Sequence, residues 1–502
     1  MHPRPTPSPR SLADLAALTG LTPVGDATTL VTGITHDSRA IQPGDIFAAL
    51  PGAHSHGGQF LAQARAAGAV AVLCDAATVE SGALDSAAPG DLPALTADDP
   101  RAALGRLSAE VYGNAASHML MIGVTGTNGK STSVHLLAAG LLAAGHTVGV
   151  IGTTGVVIDN DTLPSTRTTP EATDLHALLA VMYERGISAV AMEVSSHALV
   201  LGRVDGLVFD VALFTQLTQD HLDFHGTMED YFAAKASLFT AARARQAIIG
   251  VDGMWGRRLA DQVQIPTLTY ALDHDADVTC VAISESTRGQ SLTVESEGAV
   301  HRVDVGLPGR FNAANALGAW TTLRAMGINA DVLSASMAQV CVPGRMEAIS
   351  EGQDFTALVD YAHSPDAVAR VLAAVSPAPG GRRIVILGCG GDRDRDKRGL
   401  MGEIAARGCD VLIVTDDNPR SEDPAVIRAA MLAGAHASDG PRGVILEVPD
   451  RRDAIIGAVA DARRGDVVLV LGKGHEQGQE IAGVLHPFDD RDELRRALVG
   501  LT

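Results

Sequence analysis

The chain has 502 residues, 46% of them hydrophobic and 20% charged, a length and balance that exclude wholesale disorder and predict about three domains with cores of their own. Its 59 acidic against 39 basic residues give a formal charge of −20, which opposes sequence-independent binding to nucleic acid. Five cysteines without a CxxC pair read as small buried hydrophobes rather than a disulfide framework or thiolate zinc site. With neither a secretory leader nor a run of roughly 20 apolar residues, a cytosolic protein without membrane insertion is expected.

In chain order, residues 1–10 are Pro-rich and read as a loose tail. Strand-like runs at 30–34 and 45–50 and a helical stretch at 59–67 then describe a small α/β domain. From 118 the pattern changes to buried strands at 119–124, 147–151 and 189–194, alternating with helices at 131–144 and 173–185. That alternation implies a mainly parallel sheet with right-handed crossovers. Alternating segments between 278 and 305 read as antiparallel hairpins, and a helix returns at 312–326. Strands at 357–360, 383–387, 410–415, 444–448 and 467–471, with helices between them, describe a further doubly wound unit. The expected fold class is α/β in three domains: a small N-terminal domain over 1–117, a central P-loop domain over 118–340 and a Rossmann-like domain over 341–502.

The basic residues are almost all arginine; the four lysines are Lys130, Lys235, Lys397 and Lys473. If the chain has drifted towards arginine, lysines should persist where a compact, deprotonatable amine is required. All four are therefore site candidates, against the ordinary expectation that a lysine is solvated. Lys130 lies in Gly123-Val-Thr-Gly126-Thr127-Asn128-Gly129-Lys130-Ser131, between a strand and a helix. Backbone N–H groups at such a turn suit phosphate oxygens, Lys130 adds a point charge, and the Ser131 hydroxyl can reach Mg²⁺. The strict GxxxxGK[ST] spacing is missed, because Val124 stands where its first glycine belongs.

The spacing GxxGTNGKS resembles that of the Mur ligase family and its folylpolyglutamate synthetase relatives. The stretch from Asp37 to Gly52 is similar to the uridine-nucleotide domain of the members that add the third residue of the peptidoglycan stem peptide. The resemblance implies an ATP-dependent, Mg²⁺-using ligase. It would join meso-2,6-diaminopimelate to UDP-N-acetylmuramoyl-L-alanyl-D-glutamate through an acyl phosphate, the outer domains closing over the central one. A lysine-adding or folate-polyglutamylating ligase is the alternative, and a monomer is expected.

Glu193 and His221 each follow a buried strand. Alone, each is more often a helix cap or bonded loop residue, but strand ends of such a sheet converge on the nucleotide crevice, so together they favour a metal site with Ser131. In the resembling enzymes the lysine matching Lys235 is carbamylated and helps hold a second Mg²⁺. Asn312 and Asn315 match adenine contacts, though capping amides are as natural a reading of Asn312. The resemblance further assigns Arg345 and Asp360 to ATP ribose or phosphate. Ser38, Thr168, Thr169, Ser195 and Arg203 would hold the UDP-linked substrate. Asp417, Asn418 and Arg420 match the motif selecting diaminopimelate, completed by Arg393, Gly472 and Glu476. Leu201 replaces a polar residue and Asp396 a glycine of the family pattern, so a substrate contact and the loop near Arg393 are expected to differ. No residue reads as a general base.

Overall fold

Apolar runs pair into three large sheets in the computed structural model, which describes residues 3–6, 8–52, 55–80, 92–159, 161–165, 167–286, 289–437 and 442–501. The N-terminal sheet has five strands in the order Thr22–Val24, Ala94–Thr96, Ala71–Cys74, Asp45–Ala48, Gly33–Thr35, parallel except for its first pair. The central sheet has eleven strands and the C-terminal sheet six. No helix among the described residues is long and apolar enough to cross a membrane.

The parallel core of the central sheet runs Val148–Gly152, Ala189–Glu193, Leu120–Thr125, Phe209–Phe214, Ala244–Gly250, Thr267–Ala271. Its strands are apolar on both faces because both are covered. Met121 joins one core with Leu178, Met192 and Phe214, while its neighbour Ile122 joins the opposite core with Leu137 and Leu317. The chain enters at Leu120–Thr125, runs outwards to one side, returns at Ala189–Glu193 and then crosses to Phe209–Phe214. This reversal opens a crevice beyond the carboxyl ends of those three strands, the place where such sheets bind ligands. Val278–Ser286, Gly289–Ser296 and Ala299–Val305 form the expected hairpins at one edge. The other edge carries an additional hairpin, Gly155–Ile158 and Asp161–Leu163, whose strands are too short to display a period of two in sequence.

In the C-terminal sheet the order is Glu347–Ala348, Thr356–Asp360, Val467–Leu471, Arg383–Leu387, Val411–Val414, Val444–Glu447, parallel except for the first pair. The last of these strands in sequence is thus inserted near the middle. Leu471 lies in register with both Asp360 and Leu387, so the loops after all three emerge side by side.

The loose-tail expectation is corrected for the described residues of the start. The Arg4 guanidinium donates to both oxygens of Asp45 at 2.6 and 2.7 Å, and Arg10–Ser11 pairs with Leu30–Val31. Asp45 is only 1% exposed, and a buried carboxylate of this kind requires a cationic partner. Composition gave no sign of a pair formed across 41 residues.

Candidate active site

The phosphate loop follows Leu120–Thr125 and feeds the helix Lys130–Ala143. Gly126 and Gly129 have φ of +150° and +89°, and a Cβ would run into Thr215 Oγ1 at the first and Asn315 Oδ1 at the second. The segment after Phe209–Phe214 clamps the loop: Thr127 N–H donates to Gln216 O at 2.8 Å and the Thr215 hydroxyl to Asn128 O at 2.7 Å. Lys130 Nζ lies across the turn, donating to Gly126 O at 3.0 Å and Thr127 O at 2.8 Å. Burial lowers its pKa, against the opposing pull of Glu193.

Lys235, from helix Met228–Ala236, is 1% exposed and donates to the same Gly126 carbonyl at 2.8 Å. Burial first, and then the neighbouring Lys130 charge, hold its pKa well below the usual lysine value, which favours the uncharged amine. Glu193 is equally buried, with Thr153 donating its N–H to Oε1 at 2.9 Å and its hydroxyl to Oε2 at 3.1 Å. His221 has φ of +54°, and its Nε2 stands 3.6 Å from Asp220 Oδ2. Desolvation lowers its pKa to about 4, outweighing Asp220 and leaving a neutral imidazole near pH 7. Among the described residues no three His, Cys, Asp or Glu side chains converge as a metal cage.

Ser131, Glu193 and His221 instead line one cavity of about 830 Å³ with Lys130, and the C-terminal part contributes Arg345 and Asp360 to its wall. Arg345 bridges the two parts, donating to Ser131 Oγ at 3.3 Å and lying 4.3 Å above the Tyr361 ring. Its Nε is buried without a partner among the described residues. Asp360 spends its oxygens on the N–H groups of Met346 and Ala362, both at 2.8 Å, and shapes the Arg345 turn. Asn312 and Asn315 also line the cavity, with Asn312 donating to Pro308 O at 2.8 Å and Asn315 to Asn312 Oδ1 at 3.3 Å. Asp252 and Phe311 line it too. The sequence reading missed them; the aromatic beside the Asn312 pair was the available signal, and Asp252 had none.

The residues matched to the UDP-linked substrate separate into two places. Thr168 lines the large cavity, its hydroxyl 3.2 Å from that of Thr153. Behind Glu193, the buried Thr169 hydroxyl donates to Glu193 O at 2.9 Å and accepts from Ser195 N–H at 3.1 Å. Arg203 joins this group by donating to Thr169 O at 3.3 Å and pairing with Glu171 at 2.9 Å. Ser38 lies apart and lines neither cavity, although its sequence neighbour Asp37 lines a second one of about 330 Å³ with His36, Tyr112, Arg167 and Glu171. These four were not singled out from sequence, since they come from segments that meet only in the fold.

Around the C-terminal loops, Asp417 and Asn418 are buried, and Asn418 Nδ2 donates to Glu476 Oε2 at 2.8 Å. Gly472 has φ of +117°, and a Cβ there would fall 2.5 Å from Asp417 Oδ2. Arg420 donates to Gly391 O at 2.6 Å. Gly390 lies between the two arginines of the predicted set, since its Cβ would meet Arg420 Nη1 at 2.9 Å and Arg393 Cγ at 3.9 Å. Arg393 is exposed. Of the two departures from the family pattern, Leu201 is half-buried at the end of helix Ser196–Val200. Asp396 is exposed at the start of helix Lys397–Gly408 and gives it no side-chain cap.

Three family models match consecutive parts of the chain: "Mur ligase family, catalytic domain" over 30–112, "Mur ligase middle domain" over 124–323 and "Mur ligase, glutamate ligase domain" over 344–474. A Streptomyces coelicolor protein named UDP-N-acetylmuramoyl-L-alanyl-D-glutamate–2,6-diaminopimelate ligase is 50% identical, over 99% of this chain and 98% of its own. A Corynebacterium glutamicum protein of the same name is 48% identical over 93% and 92% of the two chains. A solved structure titled as that ligase superposes with a TM-score of 0.70 at 31% identity, covering 98% of this chain and 99% of the other.

Proposed function

This chain belongs to the Mur ligase family, and on that premise we propose that it joins meso-2,6-diaminopimelate to UDP-N-acetylmuramoyl-L-alanyl-D-glutamate at the expense of ATP, a step in peptidoglycan precursor synthesis in the cytosol. The observation that carries the reading is the shared cavity in which Lys130 and Ser131 of the phosphate loop face Arg345 of the C-terminal part. The names of the relatives at 48–50% identity specify diaminopimelate, which favours this reading over the lysine-adding and folate alternatives.

A carboxylate is a poor acyl donor. The D-glutamate side-chain oxygen therefore attacks the γ-phosphorus of ATP, ADP leaves, and the carboxylate becomes an acyl phosphate. The diaminopimelate amine next adds to the acyl carbon, and the tetrahedral intermediate loses phosphate and a proton to give the amide. The chain's contribution is positioning and charge neutralisation, with Lys130, Arg345 and the loop N–H groups gathered around the transferred phosphoryl group. Ser131, Glu193 and His221 would hold Mg²⁺, which when bound supplies charge neutralisation at phosphoryl oxygens. Their chemistry fits, because this ion takes few protein ligands and completes its shell with phosphate and water. Asn312 and Asn315 would address adenine, and Thr168, Thr169, Ser195, Arg203 and Ser38 the UDP-linked substrate.

Lys235 is the proposed carbamylation site. A buried amine whose charged form is disfavoured can add CO₂ with release of a proton, placing a carboxylate beside Gly126. A ¹³C carbamate resonance is expected in bicarbonate-labelled protein and should vanish in Lys235→Arg; a wild-type spectrum without it would remove the assignment.

The whole reading is tested by phosphate release with the UDP-dipeptide, ATP and a panel of amino acids. meso-Diaminopimelate should be the preferred acceptor. Arg420→Ala should raise its KM by about 10–100-fold, the loss of a charged hydrogen-bond pair to the distal carboxylate. Equal rates with lysine would refute the diaminopimelate assignment.

A further inference from the structure

Lys473 follows the strand Val467–Leu471 and has 0% exposure. Its Nζ donates to Asn418 Oδ1 at 3.0 Å and Glu476 Oε2 at 3.2 Å, and stands 3.8 Å from Asp417 Oδ1. Asn418 Nδ2 donates to the same Glu476 oxygen at 2.8 Å, while its Oδ1 also accepts Glu480 N–H at 3.0 Å. The partners come from loops after Val411–Val414 and Val467–Leu471, strands separated in the sheet by Arg383–Leu387. Lys473 is therefore a cross-brace between loops that follow two strands not paired with each other, near the backbone bridge of Arg420 with Ile481.

A fully enclosed ammonium is stable only if its donors are matched, and here two acceptors and a further carboxylate match them. The arrangement also divides the work of Glu476. Its Oε2 takes both internal donors, while the half-exposed side chain, at 32%, leaves Oε1 for an incoming cation. Arginine would bring five N–H donors and a wider planar head to a site with acceptors for an ammonium's three. That accounts for a lysine at this position in a chain with four of them.

We infer that Lys473 is a positioning residue that sets amino-acid selectivity, by holding Glu476, directly and through Asn418, where its Oε1 meets the distal ammonium of the incoming diamino acid. The inference rests on reading these loops as the diaminopimelate pocket. It requires no contact between Lys473 and the substrate.

The test uses the full chain, with steady-state phosphate release for wild type, Lys473→Met and Lys473→Gln. Lys473→Met should raise the KM for meso-diaminopimelate about tenfold or more, the loss of one charged hydrogen bond or its equivalent. The KM values for ATP and UDP-dipeptide should stay within twofold, and preference over the LL isomer, in which the distal ammonium and carboxylate exchange places, should narrow. Lys473→Gln, which keeps an N–H donor for Glu476, should recover part of the diaminopimelate KM; it also carries the test if the Met variant does not fold. Unchanged diaminopimelate KM and selectivity in the folded variants would overturn the inference, as would an equal loss across all three substrates, the mark of a merely structural role. Wild-type protein inactive with diaminopimelate would instead overturn the functional reading, and the inference with it.

Discussion

Lys130→Ala should lower kcat by about 10²–10³-fold, the usual loss when one preorganised donor to developing charge is removed. The loop should survive the change. The two bonds of Lys130 Nζ to Gly126 O and Thr127 O are lost, but Thr215, Gln216, the Lys235 donor to Gly126 O and the positive φ of Gly126 and Gly129 still hold its path. The variant should therefore melt close to wild type, and its KM for diaminopimelate should be unchanged, since that pocket lies on the loops of another sheet. Lys130→Arg should not restore activity, because Nζ reaches two carbonyls of one tight turn and the planar guanidinium cannot reproduce a point donor there. Rapid-quench measurement of ADP formation isolates the step. A variant retaining more than about a tenth of wild-type kcat would mean that Arg345 and the backbone donors suffice without the lysine.

The second large effect is on stability. Arg451 and Asp490 are both 0% exposed and form a two-point pair, Nε to Oδ1 and Nη2 to Oδ2, each at 2.7 Å. Asp490→Ala leaves a guanidinium buried without its counter-ion, which should cost about 3–5 kcal/mol. For a domain of this size that corresponds to a fall in melting temperature on the order of 10 °C. Arg451→Met combined with Asp490→Ala should regain much of the loss, because no charge then remains buried. Arg451 Nη2 also donates to Leu471 O at 2.9 Å, the last carbonyl before the loop of Lys473 and Glu476. Asp490→Ala should thus raise the diaminopimelate KM at temperatures where the fold persists. Calorimetry of the single and double variants decides it; a single variant melting within about 2 °C of wild type would show that the pair is not needed.

The phosphate loop and the parallel strands were legible because their physics is local. Two glycines with positive φ, a helix start and a lysine lie within six residues, Gly126 to Ser131, and strands buried on both faces appear as uninterrupted apolar runs. The scarcity of lysine was legible too, and it marked Lys130, Lys235, Lys397 and Lys473 without saying what any of them touches. Those contacts were decided by tertiary structure. Lys235 meets the Gly126 carbonyl across 109 residues, Arg4 closes on Asp45, and Arg451 on Asp490. Asn418 and Glu476 approach only because Val467–Leu471 inserts between Thr356–Asp360 and Arg383–Leu387. Periodicity and turn chemistry act over a few residues and can be read from their order. Strand order and the pairing of buried charges depend on which distant segments exclude water together, and only the folded chain brings those together.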